Sequence, residues 1–398
     1  MKPVSPKIIL ALNYLIFLFF GMFMGGIGPV FNELAEQTSS SLTAVGGIIT
    51  FLFLGSLLAQ IIAGPLTDRY GHKNILVISL FILGLGIISF TNAESVTVMF
   101  ALVFITGMGQ GGVDIGTNLV VSDVSPGDNT SALNLLHFFF GVGAFIGPAL
   151  IGFAIAKAGS GLVVHWFAAG VLILIAILIL FLLKDRSATE RDPEENVHKS
   201  EKGFRVYLSP LLWLFGLLML VYVGVEFGLG SWISNYLNIT TGAALQYGAL
   251  VTSAYWGALA LGRLAGAAAS RKVSRMQLLI IALASSLAGA VGLILTRGMI
   301  WPSIVFIAWI SFSYGTVYPT TVAYAISIFP DQQGKAVGFL VALGNIGGIF
   351  LPWVAGILLV NYANQAYAVY LAILIGLMLL IVTFIPRLIQ RRDHNLNK

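Results

Sequence analysis

Cysteine is absent from all 398 residues. That excludes disulfides, thiolate metal sites and cysteine nucleophiles, and it leaves nothing to report on redox compartment. Charge is scarce as well: Asp, Glu, Lys and Arg make up 9% of the chain, against about 25% in an ordinary water-soluble domain. No serine sits in a nucleophile motif beside a base, no side chains stand at metal-ligand spacing, and no glycine-rich loop has the form that cradles phosphate. Enzymatic chemistry therefore has no support, and neither a cofactor nor a nucleic-acid partner is expected.

What the chain has instead is apolar length. Hydrophobic residues reach 58% and mean hydropathy is +0.94, values suited to a chain whose solvent is lipid and whose charges are kept for loops and a few interior sites. The 45 glycines suit close helix contacts where lipid removes most of the hydrophobic drive for association. Met1 to Lys7 has a signal-like charge pattern, but the apolar run continues to Phe31 with no small-residue cleavage site, so it reads as a retained first helix.

Spans of about 20 residues are expected near 8–31, 42–64, 75–92, 97–121, 131–155 and 162–183, then 208–237, 246–269, 276–296, 301–325, 334–360 and 367–389. The predicted fold class is an all-α membrane protein, with twelve transmembrane helices in two pseudo-symmetric six-helix bundles. The bundles cover residues 1–183 and 207–398, joined by a polar linker at 184–206 that carries six Lys/Arg and six Asp/Glu. With the N-terminus inside, 18 of 21 Lys and Arg fall in cytoplasmic segments, so both termini and the linker are expected in the cytoplasm and the protein in the inner (plasma) membrane.

The halves repeat each other. Gly55, Gly64 and Arg69 stand 202 positions before Gly257, Gly266 and Arg271, and Gly143, Pro148 and Gly152 stand 204 before Gly347, Pro352 and Gly356. Transporters built from duplicated bundles require such spacing.

After the second span comes Gly64-Pro65-Leu66-Thr67-Asp68-Arg69-Tyr70-Gly71-His72-Lys73. Gly64 permits a close crossing, Asp68 and Arg69 can form charge-assisted contacts, and Gly71 permits a tight turn. The run resembles the signature that major facilitator superfamily transporters carry between helices 2 and 3. The second half retains Gly262-Arg263-Leu264-Ala265-Gly266 and Arg271 but has lost the acidic residue. The resemblance implies that Gly64, Asp68, Arg69, Gly71, Arg263 and Arg271 are gate residues.

Ionisable groups inside a membrane usually mark a pathway, and two acids lie well within the spans, Asp114 and Glu226. On the fourth span Gln110, Asp114 and Asn118 share one helical face; the fifth supplies Asn134 and His137 one turn apart. Asp114 and His137 stand ~10 Å and ~9 Å from the same membrane face at 1.5 Å per residue, so the two are expected to pair. Asp114, His137 and Asn118 are the expected coupling residues. Asp114, Thr117 and Asn118 also offer three hard oxygens within about a turn, so the coupling ion is expected to be H+ or Na+.

The fourth-span run from Gly107 to Asn118, Leu133-Asn134-Leu135-Leu136-His137-Phe138-Phe139-Phe140-Gly141, and Glu226-Phe227-Gly228-Leu229-Gly230-Ser231-Trp232 are similar to the fucose, galactose and glucose symporter group, sodium-dependent glucose carriers included. The fucose relatives are expected to carry an acid in the first helix; here Asn13 is the one strongly polar side chain from Ile8 to Phe31. A carboxylate can accept bonds from vicinal hydroxyls, and an indole can cover the C–H face of a sugar. The expected substrate-binding residues are Gln110, Asn134, Glu226, Trp232, Tyr255, Trp256, Tyr314 and Asn345, with Tyr222 and Tyr318 as further candidates. The expected function is cation-coupled sugar symport by alternating access, by a monomer in contact with lipid. The alternative is a proton-coupled antiporter exporting a drug or small metabolite, because Gly143-Ala144-Phe145-Ile146-Gly147-Pro148-Ala149-Leu150-Ile151-Gly152 resembles the antiporter signature, with Ile151 where a glycine belongs.

Overall fold

The computed structural model describes residues 5–125, 129–182, 206–329, 332–362 and 365–396. Apart from Val206, the linker at 184–206 lies outside them, as do the side chains of Gly64, Asp68, Arg69 and Asn134. The described residues form α1 Pro6–Gly26, α2 Phe31–Gln37, α3 Leu42–Val45, α4 Gly47–Tyr70, α5 His72–Phe90, α6 Val96–Val124, α7 Asn129–Ala158 and α8 Leu162–Leu182. They continue with α9 Pro210–Thr241, α10 Leu245–Ala269, α11 Arg275–Leu295, α12 Ile300–Tyr314, α13 Val317–Ile328, α14 Gln333–Asn361 and α15 Gln365–Leu396.

The architecture is all-α and membrane-spanning. Eleven helical stretches among the described residues are long and apolar enough to cross a bilayer. α10, eighth in chain order, completes a set of twelve; Tyr, Ser, Thr, Gly and Arg263 dilute its apolar character. The second expected span is divided at Gly46 into α3 and α4, and two more differ from a simple hydropathy reading. The first stops at Gly26, where Gly28–Val30 form a 3₁₀ turn around Pro29 before α2 begins. The tenth is broken between α12 and α13, because Pro319 has no N–H to return to the Gly315 carbonyl.

Contacts divide the chain into two compact units: Met1–Glu190 with Gly230–Gly257, and Arg191–Leu229 with Ala258–Lys398. The sequence reading divides the chain at the linker alone, whereas these contacts divide it inside α9 and α10 as well.

In the first unit α1 packs along α7, α6 lies against both α4 and α5, and α8 packs on α5. Glycine makes these crossings close. A Cβ on Gly143 would stand 1.8 Å from the Leu18 carbonyl oxygen, and one on Gly21 would stand 2.1 Å from that of Phe140. The glycines of α6 divide between its neighbours, with Gly107 and Gly111 against α4 and Gly109, Gly112 and Gly116 against α5. At 100° per residue, Gln110, Asp114 and Thr117 then lie on a stripe turned away from α5.

In the second unit α11 packs on α12 and α15. A Cβ on Gly347 of α14 would stand 1.8 Å from the Leu220 carbonyl oxygen of α9. Gly143 and Gly347, paired by the sequence repeat, thus make the same backbone approach each within its own unit.

Candidate functional site

Glu226 of α9 is a buried, doubly bonded acid inside the second unit. Its Oε1 accepts from Tyr222 Oη at 3.1 Å and from Arg263 Nη2 at 3.0 Å. Tyr222 precedes it by one turn, which puts both on one face of α9. The Tyr222 ring stacks on Tyr314 at 4.4 Å between centroids and 6° between planes, and it tilts against Tyr318 at 5.8 Å. Tyr314 Oη donates in turn to the Tyr222 carbonyl at 2.9 Å. One tyrosine and a guanidinium therefore hold the carboxylate, and Tyr314 and Tyr318 pack on that tyrosine. Arg263, expected at a gate, is the partner of Glu226; the salt bridge joins α10 to α9 inside the unit.

Beside this pair is a cavity of about 780 Å³, bounded by the Arg263 end of α10, the turn into α11, and α13. Arg263 lines it, together with Gly266, Ser270, Arg275, Thr316 and Thr320. Asn345 is buried on α14 of the same unit.

The first unit holds the other acid. Asp114 is half-buried; Asn118 Nδ2 donates to its Oδ1 at 3.2 Å and to its backbone carbonyl at 2.7 Å. Gln110 Oε1, one turn earlier, and Thr117 Oγ1, one turn later, are buried with no hydrogen-bond partner. The expected Asp114–His137 pair is not made. His137 is exposed, edge-on to Phe17 of α1 at 5.4 Å, because α7 packs along α1 and touches α6 only lightly. A short connection between two spans does not make them lateral neighbours.

Trp232, Tyr255 and Trp256 fall in the Gly230–Gly257 segment, which packs with the first unit. Trp232 is fully buried, edge-on to Phe31 at 5.1 Å, over Gly46, where a Cβ would come within 2.4 Å of the indole. Beside it, Asn32 Nδ2 donates to Asn235 Oδ1, and Ser253 Oγ donates to the Phe145 carbonyl. Tyr255 and Trp256 meet edge to face at 5.2 Å and close around Gly230. The expected substrate residues thus divide: Gln110, Trp232, Tyr255 and Trp256 in one unit, Glu226, Tyr314 and Asn345 in the other.

Among the expected gate residues, Gly71 turns the chain between α4 and α5 at φ 82°, where only glycine is comfortable. Directly after it, His72 Nδ1 and Asp123 Oδ2 of α6 are 2.6 Å apart. Arg271 is exposed in the turn that follows α10.

The model of the Major Facilitator Superfamily matches residues 14–323 and 244–397. The chain belongs to the major facilitator superfamily. It is a membrane transporter and not an enzyme. The sodium-dependent glucose transporter 1 of Xenopus laevis is 24% identical over 379 residues, covering 87% of this chain and 75% of that protein. The multidrug resistance protein 1 of Bacillus subtilis (strain 168) is 25% identical over 384 residues, covering 94% and 96%. The crystal structure of a D-xylose-proton symporter superposes with a TM-score of 0.77 at 14% identity, covering 94% of this chain and 96% of that one.

In this superfamily member, two pairings join residues that the sequence places far apart, His72 with Asp123 and Arg263 with Glu226. His72 belongs to the signature run itself, so an acid at the end of the fourth span was its findable partner. On the sequence Arg263 reads as a gate residue and Glu226 as a solute ligand, two different classes. Their pairing had one signal: two opposite charges inside neighbouring spans, each costly alone.

Proposed function

We propose that the protein is a cation-coupled symporter of a sugar-class solute, working by alternating access, with Asp114 as the coupling group. The observation that carries this reading is the stripe on α6: a carboxylate bonded to Asn118, flanked by the buried oxygens of Gln110 and Thr117 that have no donor. Buried oxygens without donors are costly; a bound H+ or Na+ supplies what they lack. The similarity to a sodium-dependent glucose transporter supports both a sugar and Na+. The positive-inside distribution supports cytoplasmic termini.

The test is glucose uptake by proteoliposomes under an imposed inward Na+ gradient, an inward H+ gradient, or neither. Accumulation under one gradient alone is expected. Equal uptake under all three would remove the coupling, and no glucose flux under any of them would remove the neutral sugar. A second reading, antiport of a drug or metabolite, is favoured by the similarity to a multidrug resistance protein; it predicts that the same H+ gradient drives release of a preloaded amphipathic cation and no glucose entry.

A further inference from the structure

The cavity at the end of α10 carries unbalanced charge. Among the described residues, its lining includes Arg263 and Arg275, hydroxyls from Ser270, Thr316 and Thr320, and no Asp or Glu. Its volume of about 780 Å³ falls within the range of small-molecule sites. Glu226, the carboxylate bonded to Arg263, is not part of the lining, and its side chain is 7% exposed against 32% for Arg263. The guanidinium therefore stands between the carboxylate and the cavity. It also has bonding capacity to spare: of the five donors on an arginine, one on Nη2 serves Glu226, and the side chain is 32% exposed.

We propose that this cavity takes an anionic solute, a hydroxylated carboxylate of the sugar-acid class, whose carboxylate docks on Arg263 while its hydroxyls meet Ser270, Thr316 and Thr320. The inference rests on the transport reading above, narrows its solute class and does not depend on Asp114. Coulomb energy falls with distance, so an anion in the cavity is attracted by the nearer guanidinium more than it is repelled by the carboxylate behind it. Arg275 adds a second attraction with no acid in the lining to offset it. A guanidinium edge matches a carboxylate bidentately. A neutral sugar would make hydroxyl bonds here and leave the positive excess unanswered.

The geometry assigns Glu226 a part opposite to that of a sugar ligand. As a hydroxyl acceptor it would strengthen solute binding; as the charge behind Arg263 it weakens an anion's hold. The experiment is calorimetric titration, with thermal shift alongside, of the purified full-length protein at low salt with glucuronate and with glucose. Glucuronate is expected to bind about 10-fold tighter than glucose or better and to weaken as salt rises. Glu226→Gln is expected to tighten glucuronate several-fold. The double variant Arg263→Gln/Glu226→Gln, which leaves no unpaired charge inside, is expected to lose about 10-fold or more of the Glu226→Gln affinity. If the double variant does not fold, Arg275→Gln decides, with several-fold weaker glucuronate binding expected.

Glucuronate binding no tighter than glucose, a double variant that holds it as well as Glu226→Gln does, weaker binding by Glu226→Gln, or an Arg275→Gln protein with parental affinity would each overturn the proposal. Glucose binding without glucuronate binding sinks the anion and leaves the sugar reading standing. Glucuronate binding through Arg263 without glucose binding does the reverse. If neither binds, both fall.

Discussion

Arg263 and Glu226 are 37 positions apart in the chain and meet at 3.0 Å inside one unit, joining α10 to α9. Each charge alone would be costly at that depth; together they need only the hydrogen bonds that Tyr222 and its stacked neighbour Tyr314 help to organise. This makes the pair a structural element as well as a candidate solute contact, and it separates two effects that a single substitution would mix.

Arg263→Gln leaves Glu226 buried without its guanidinium partner. Breaking a buried pair costs about 3–5 kcal/mol; the low end, about 3 kcal/mol, is expected here because 32% of the Arg263 side chain is exposed. Adding Glu226→Gln should recover most of that loss. Unfolding midpoints in detergent read both, and a double variant as unstable as Arg263→Gln would show that the pair is not the source of the cost.

Asp114→Asn keeps the size of the side chain and removes its charge. Gradient-driven accumulation of solute is expected to stop, while exchange of labelled for unlabelled solute continues, because exchange does not require the coupling cation to leave. Concentrative uptake by that variant would take Asp114 out of the coupling step. Asn118→Ala, which removes the donor to the carboxylate, should weaken coupling less.

Trp232→Ala is expected to act on stability first. The indole is fully buried between Phe31 and Gly46, and removing a buried tryptophan costs about 3–5 kcal/mol. Trp232→Phe should keep much of the packing. Solute affinity of the folded fraction, measured by titration, is expected to stay near the parent's; a loss of affinity without a loss of stability would restore Trp232 to the solute site.

Gly143→Ala tests the close crossing of α1 and α7. Its Cβ would stand 1.8 Å from a backbone oxygen, so the helices must move apart, at about 1–3 kcal/mol. Gly170→Ala on α8 meets nothing within 4 Å and is expected to be neutral or to stabilise by about 0.4–1 kcal/mol. Equal effects at the two sites in thermal unfolding would show that glycine acts there through helix propensity and not through packing.

Much of this was legible in the residues. Hydropathy marks the spans because each must satisfy its backbone internally and present apolar side chains to lipid. The repeat from Gly143 to Gly347 is visible at a spacing of 204, and both glycines make the same 1.8 Å approach to a carbonyl oxygen. Asp114 and Asn118 were readable as partners because one turn of one helix sets their distance.

What lies between helices was not readable in that way. Hydropathy fixes where a helix runs but leaves its rotation and neighbours open, since lipid tolerates apolar side chains on any face. His137 met Phe17 of α1 and not Asp114 because packing, not loop length, chose the neighbour of α7. The carboxylate of Glu226, open to solute hydroxyls on residue type alone, was claimed by Arg263 and Tyr222. By itself the sequence determined the twelve helices, the glycine spacing repeated between them and the few charges placed within the spans. Only the tertiary structure decided which of those charges face each other, because that depends on the rotation of each helix about its own axis.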